Sequence, residues 1–396
     1  MIKSIQPLCL VFLVSFACCK TMGGRSQLQS SPVVTTESEA AAVSDCSSRW
    51  DVFSQKPYEQ IALPDTNVRY WRFRFKQKAA APVNLRLSGT FPKARYMNFN
   101  IYDAKTMNSS ASLPDIKIQA DPGSSNPFQP NAEGEAEARN YTVWVKPGAD
   151  TDNNTVPTPS NAASEDKSLE LWYRVYSPTH EISAAELPRI EAFTDGSGST
   201  PVACPTAAAL EPAVSADLDA LPPENPLGTI WFYRARATGL YANLDNIYLG
   251  TRVRVIGGNV AIFKFRAPKI REEVRYWSIC VGGIDQRTSG CLRDEEMKID
   301  GAGFVTVVVG PESVKSAAVN RGQNWLPWGT QSLQVLVYRN LLSNPEFAGD
   351  LHKVKKVESG ALFQASQYAA QNYIGDYAPV GRKCIRLAYM ANNCGL

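Results

Sequence analysis

The 396-residue sequence predicts a mainly β protein: two tandem antiparallel β-sandwich or jelly-roll-like domains, with a C-terminal helix. Three observations predict it. From Trp50 onwards, short segments carry large side chains at every second position, the period of a pleated strand. Clusters of Pro, Gly, Asn and Ser separate them and set turns. Strands of the first half also return in the second in the same order. Arg95-Tyr96-Met97-Asn98-Phe99 matches Arg275-Tyr276-Trp277-Ser278-Ile279, 141–145 matches 304–309, and 169–174 matches 333–339. That order points to a duplicated β domain.

Taken from the start, Lys3 and the apolar run 8–17 have the form of a secretory signal, too short to span a bilayer. Ser15-Phe16-Ala17 is a small-x-small cleavage site. Val14 to Cys18 also has the form of a lipobox, with Ser15 where a leucine is expected. Cys18 is therefore either a lipidated first residue or part of a plainly secreted chain. Residues 1–19 are read as the signal and the polar stretch 20–45 as a flexible spacer. The first sandwich is assigned to 46–205, a linker to 206–224, and the second sandwich, helix and disulfide loop to 225–396.

In the first half, strands are expected at 69–75, 83–87, 95–103, 141–145 and 169–176, with a turn at 121–127 and a polar loop at 150–164. In the second they are expected at 231–233, 252–256, 260–265, 275–280, 304–309 and 333–339. Acidic stretches after each last strand, 177–191 and 343–356, are expected to be helical. A short helix is expected at 210–221, and apolar spacing predicts the C-terminal helix over 351–373.

Nine cysteines fit an exported chain. Cys9 leaves with the signal, and Cys18 and Cys19 sit at its end. Six remain, an even number that reads as a disulfide framework with several pairings open. Chain order favours Cys46 with Cys204, Cys280 with Cys291, and Cys384 with Cys394. With two histidines, His180 and His352, and no Cys-x-x-Cys, neither a metal site nor a cofactor is expected. Forty-one Lys and Arg against 38 Asp and Glu give +3 without a basic patch, which argues against nucleic acid. Contact with a membrane is expected only through a lipid on Cys18.

The second half resembles the bacterial domain of unknown function 1214. The resemblance rests on Arg275-Tyr276-Trp277-Ser278, on Asp300-Gly301 before 304–309, on Asn324-Trp325-Leu326-Pro327, and on 333–339 with its Arg339. Asn243-Leu244-Asp245-Asn246-Ile247-Tyr248 is similar to a stretch of the partner domain numbered 1254. The resemblance covers about 225–350, and the first half shares only the Arg-Tyr strand. It implies a β-sandwich in an envelope setting and supplies no reaction.

Chemistry is sparse. No Gly-x-Ser-x-Gly elbow accompanies either histidine. A glycosidase would need paired carboxylates, for which Asp245, Asp285, Asp294, Glu295 and Glu296 are available. The run 294–296 reads more simply as a solvated turn. Asp245 is the one catalytic candidate, although Asx residues capping a turn explain that stretch as well. Residues 150–154 begin like a calcium loop but lack its glycine and closing glutamate. Trp325 and Trp328, in a proline-stiffened corner, offer faces for a sugar ring, and Arg275 and Arg339 offer clamps for an anion. Core plugs and locally satisfied arginines are the plainer alternative. The candidate ligand-binding set is Asn243, Asp245, Tyr248, Arg275, Asn324, Trp325, Trp328 and Arg339. The expectation is an exported envelope protein without catalysis, structural or ligand-binding, with a glycan or another envelope component as partner. A carbohydrate-active enzyme and a glycan-binding module are the alternatives.

Overall fold

The computed structural model describes residues 45–53, 62–129, 138–148, 154–159, 166–206, 221–225, 227–235, 241–358 and 361–395. The signal segment with Cys18, nearly all of the spacer, positions 150–153 of the calcium-like run and the linker helix expected at 210–221 lie outside them. Residues 42–396 form one compact unit. The protein is mainly β, built of antiparallel sheets without a closed barrel, with a short helix near the C-terminus.

The first half contributes β1 (Asp51–Val52), β2 (Val68–Gln77), β3 (Asn84–Thr90), β4 (Tyr96–Asp103), β5 (Ser109–Pro114), β6 (Asn140–Pro147), β7 (Thr155–Thr158), β8 (Lys167–Tyr176) and β9 (Arg189–Phe193). The second contributes β10 (Thr229–Trp231), β11 (Asn246–Arg254), β12 (Val260–Arg266), β13 (Tyr276–Gly283), β14 (Thr288–Arg293), β15 (Phe304–Gly310), β16 (Asn324–Pro327), β17 (Leu333–Leu341) and β18 (Val380–Cys384). The α-helices among the described residues are short: α1 (Lys315–Asn320), α2 (Gln371–Ile374) and α3 (Arg386–Met390). The sheets run β1-β2-β8-β4-β5 and β7-β6-β3-β9 in the first half, and β11-β17-β13-β14 and β10-β18-β12-β15-β16 in the second. Apart from β1 and β10, each strand of one half has a counterpart in the same place in the other. Even the odd parallel pairing repeats, β6 with β7 and β15 with β16.

Each half has its own core, and alternation along the strands fills it. Met97, Phe99, Ile101, Leu171 and Tyr173 face one core; Trp277, Ile279, Val281, Leu336 and Tyr338 face the other. Burying such side chains stabilises by about 1.5–3 kcal/mol each. The opposite faces of β4, β8 and β13 should meet water in an ordinary antiparallel sandwich, yet these strands are buried throughout or nearly so. A third cluster lies on those outer faces, where Tyr70, Tyr96, Tyr102, Trp172 and Tyr176 of the first half meet Tyr241, Tyr276 and Leu341 of the second.

The six cysteines from Cys46 onward meet as Cys46–Cys204, Cys280–Cys291 and Cys384–Cys394, the pairing that chain order favours. Cys280 and Cys291 face each other across β13 and β14.

The expected helices differ. After β8, Pro188 and the capping box of Ser183 and Glu186 close one 3-10 turn at Ala184–Glu186, and the chain then extends as β9 instead of a helix. Over 343–356, Pro345 and Gly349 leave only the 3-10 turn Leu351–Lys353. The helix expected over 351–373 is divided into that turn, a 3-10 stretch at Ala361–Tyr368, and α2. Val354, Val357 and Gly360 fall at its centre, where β-branching and glycine weaken a helix. The tail beyond it supplies β18, which enters the sheet between β10 and β12.

Gly381 makes that entry feasible. A Cβ there would lie 1.9 Å from the Ile262 carbonyl oxygen and 2.6 Å from Phe263 Cα, both backbone atoms of β12. Gly381→Ala should destabilise the protein by about 3 kcal/mol, by analogy with an overpacked core. A urea midpoint equal to wild type would show that β18 is not seated this way.

Candidate functional site

Most of the polar residues singled out in the sequence converge where the two halves meet. The strand β2 is preceded by a strap at 62–67 and β11 by a strap at 241–245. Each strap crosses to the other half. Leu63 N–H donates to Gln286 O at 2.7 Å and Tyr241 N–H to Met107 O at 3.1 Å. All four residues have left-handed backbones, φ 47°, 61°, 51° and 58° respectively. Shared strain of this kind, costing about 1–3 kcal/mol per residue, persists only where surroundings over-determine it.

Both straps close by the same Asx turn. Asp65 N–H donates to Tyr70 Oη, and Asn67 N–H donates to Asp65 Oδ1. Asn243 N–H donates to Tyr248 Oη, and Asp245 N–H donates to Asn243 Oδ1. Asp65-Thr66-Asn67-Val68-Arg69-Tyr70 is thus the first-half counterpart of Asn243-Leu244-Asp245-Asn246-Ile247-Tyr248. Its spacing, Asx-x-Asx-x-x-Tyr, was present in the sequence as a signal.

The straps deliver carboxylates across the boundary. Asp65, fully buried, accepts from Tyr276 Oη at 2.8 Å and Ser278 Oγ at 2.6 Å, and pairs with Arg339 at 3.4 Å. Asp245 accepts from Tyr96 Oη at 2.6 Å, from Asn98 Nδ2 at 2.9 Å and from Ser112 Oγ. Tyr96 and Asn98 occupy on β4 the places of Tyr276 and Ser278 on β13. Burial, reinforced by the neighbouring carboxylate, pushes the hydroxyls of Tyr70, Tyr96 and Tyr276 well above the usual phenol range, so all three stay neutral, Tyr96 and Tyr276 donating to the carboxylates and Tyr70 accepting from Asp65 N–H.

Two arginines at matching positions finish the layer. Arg339 donates to Leu63 O at 3.2 Å as well as pairing with Asp65. Burial opposes its charge, and the Asp65 carboxylate helps raise its pKa beyond the usual arginine value. Arg174 donates to Tyr241 O at 2.8 Å and to Asn100 Oδ1. Its guanidinium also lies 4.9 Å from the Trp172 ring, 5.2 Å from Tyr102 and 5.6 Å from Tyr70.

A second reciprocal pair lies at the ends of β4 and β13. Arg275 reaches Asp115 at 3.4 Å and Arg95 reaches Asp294 at 3.2 Å, and each arginine also donates to the other's carbonyl. Asp115 accepts from Met97 N–H and Asp294 from Trp277 N–H. Asp294 therefore does not sit in a solvated turn: the 3-10 turn that it opens is pressed against the first half. Burial pushes the Asp115 carboxyl up to about 7, against the pull of Arg275, and moves Asp294 upward against Arg95.

The remaining candidates stand elsewhere. Asn324 brackets the chain, accepting from Lys298 N–H and donating to Lys298 O and Thr306 O. The corner around it is an edge strand, β16, with β7 as its counterpart. Trp325 packs with Val260 and Val308 under the Lys315 ammonium, while Trp328 packs on the second core and donates to Asn259 O at 2.7 Å. The two tryptophans belong to different clusters and make no joint platform. The exposed His180 and His352 pair with the exposed Glu186 and the buried Asp350 respectively. A groove of about 820 Å³ lies against β12 and β18, lined among others by Lys264, Phe304, Asn372, Asp376 and Arg382. Its charges are mixed, and Lys264 is held by Asp300.

Two expectations follow from the boundary layer. Asp65→Ala leaves Arg339 buried without its carboxylate and should destabilise the protein by about 3–5 kcal/mol in urea melts. Asp115 gives a pH signature. Its folded pKa lies above the unfolded value of 3.8, so the folded state keeps a proton that the unfolded state has released. That contribution falls as pH rises from about 4 to about 7, then stays flat. Wild-type stability measured against Asp115→Asn should therefore decline by about 3 kcal/mol between pH 4.5 and pH 7.5. A constant difference across that window would show that Asp115 ionises normally.

No protein-family model matches the chain, and no curated protein matches it. Among solved structures, an uncharacterized protein from Burkholderia cenocepacia is similar at 12% identity, covering 74% of this chain and 79% of its own, with a TM-score of 0.47. The VPA0106 protein from Vibrio parahaemolyticus is similar at 11% identity, covering 71% and 86%, with a TM-score of 0.40.

Proposed function

We propose that this chain is an exported cell-envelope protein without catalysis, whose two sandwiches are locked into one rigid body for a structural or ligand-presenting role. The observation that carries the proposal is the fate of the best catalytic candidate. Asp245 accepts three side-chain hydrogen bonds from the other half, which leaves little of the carboxylate to work on a substrate. A general acid or base must reach the proton that it moves, and a group closed in by Tyr96, Asn98 and Ser112 does not. Arg275 and Arg339, the candidate anion clamps, are likewise engaged by Asp115 and Asp65. Paired cysteines support an oxidising compartment. No helix among the described residues is long and apolar enough to cross a membrane.

Asp245→Asn separates a lock from a catalyst. Under this proposal purified protein turns over neither polysaccharide nor peptidoglycan, and the substitution lowers the urea midpoint by about 1–3 kcal/mol equivalent. Turnover by the wild type that Asp245→Asn abolishes at unchanged stability would make the carbohydrate-active alternative correct.

A further inference from the structure

The strongest feature outside the boundary layer is a knuckle at the C-terminal end, closed by Cys384 and Cys394. Tyr389 anchors it from within. Its ring is buried among Val260, Ile262, Val308 and Val314, its hydroxyl donates to Gln323 Oε1 at 2.7 Å, and Arg321 sits 4.7 Å above the ring. Around that anchor, three large apolar side chains are open to solvent. Ile385, which precedes α3, is 68% exposed, and Leu387 and Met390 on α3 are 74% and 47% exposed. Val319 on the neighbouring α1 is exposed too, as is Leu227 next to the strand pairing of β10 with β18. Most large hydrophobics elsewhere in the described residues are covered, so this grouping is a surface feature that implies an occupant.

Charge selects the occupant. From Cys384 to Gly395 the sequence carries Arg386 and no carboxylate. Around the knuckle, three guanidiniums donate to neutral oxygens: Arg382 to Gly395 O, Arg386 to Ser313 Oγ, and Arg321 to Tyr389 O and Met390 O. The nearby acids are already held, Glu312 by Lys315 at 3.0 Å and Glu224 by Lys383 at 2.6 Å. Apolar tips surrounded by cations without a matching set of acids complement a negatively charged lipid surface, with acyl chains for the tips and phosphates for the rim.

We infer that the 384–394 knuckle docks this protein onto the face of an anionic bilayer by inserting Ile385, Leu387 and Met390 beneath the phosphates, which Arg382 and Arg386 engage. This contact is distinct from any lipid on Cys18 and lies at the other end of the chain. The disulfide and the buried Tyr389 tie the segment that carries the tips to the rest of the fold. It is also independent of whether the layer between the halves is purely a lock.

The test is co-sedimentation of the purified full chain with vesicles of phosphatidylglycerol and phosphatidylcholine, against vesicles of phosphatidylcholine alone. Wild type should partition onto the anionic vesicles, and Ile385→Glu with Leu387→Glu should weaken that partitioning about tenfold or more. Arg386→Gln should weaken it less and reduce its salt dependence. All three positions are exposed, so unchanged thermal transitions should accompany both variants. Equal binding by wild type and the double-glutamate variant would overturn the inference, since the N-terminal segment would then account for all of it. Absence of wild-type binding would overturn it as well. So would a double variant that leaves vesicle binding intact but abolishes a dimer in sedimentation velocity, which would assign the knuckle to a second copy of this chain.

Discussion

Two buried guanidiniums, Arg174 and Arg339, set the terms for the rest of this molecule. Each stands near the middle of a sheet, on the face that points away from its own core, and each is nearly inaccessible. A buried cation without acceptors is costly by several kcal/mol. The half that carries the arginine supplies one acceptor for Arg174, the Asn100 amide, and for Arg339 only the face of Tyr248. The remainder comes from the other half's strap, through the carbonyl of Tyr241 for Arg174 and through the carbonyl of Leu63 and the carboxylate of Asp65 for Arg339. The sandwiches therefore depend on each other. The strand faces bearing Arg174 and Arg339 are fit for burial only when both straps have crossed over.

The same dependence explains why the polar constellation resembles a site without opening as one. Asp, Asn, Tyr, Ser and Arg gathered at one place are what a ligand pocket also requires. Here their hydrogen-bonding capacity is largely turned inward: Asp65 on Tyr276, Ser278 and Arg339, Asp245 on Tyr96, Asn98 and Ser112. A network in which most members are satisfied by protein rigidifies its surroundings, and losing one member exposes the desolvation cost of the others. The left-handed residues where strap and opposite half meet, Leu63 with Gln286 and Tyr241 with Met107, fit such a role, because only firmly held contacts keep all four.

Much of this was legible in the sequence, for identifiable reasons. Alternation along 95–103, 169–176 and 275–280 placed the strands, since one side of each does face a core. The recurrence of Arg95-Tyr96 at Arg275-Tyr276 marked the strand ends that later prove to exchange ion pairs. What alternation does not reveal is that the polar phase of β4 and β8 is also buried, because Asn98, Asn100 and Arg174 look the same whether water or a second sheet faces them. Asp65 is hard to read from sequence because its segment differs from 243–248 in which Asx position carries the charge. Asp115 and Asp294 were hidden for another reason: only the far side of the boundary, with Arg275 and Arg95, distinguishes them from ordinary turn residues. The tail strand β18 is five residues long with a glycine at its second position, where propensity points away from a strand.

The exchange of charge between the straps accounts for the difference between the two arginines. In the first strap the carboxylate is the turn-closing residue, Asp65, and it points along β13 toward Arg339. In the second the turn-closing residue is the amide Asn243, and the carboxylate has moved two positions on, to Asp245, over Tyr96 and Ser112. Arg174 is consequently left with neutral acceptors, the Asn100 amide and the Tyr241 carbonyl, where its counterpart has an ion pair. The three rings of Tyr70, Tyr102 and Trp172 around Arg174 compensate, since an aromatic face attracts a desolvated guanidinium by about 2 kcal/mol. Arg339 has one such ring, Tyr248 at 5.8 Å, and at the place of Tyr102 the second half has Gly282. The aromatic cage and the displaced carboxylate are thus two parts of one change: where the strap withholds a charge, the sheet beneath must supply another way to hold the cation.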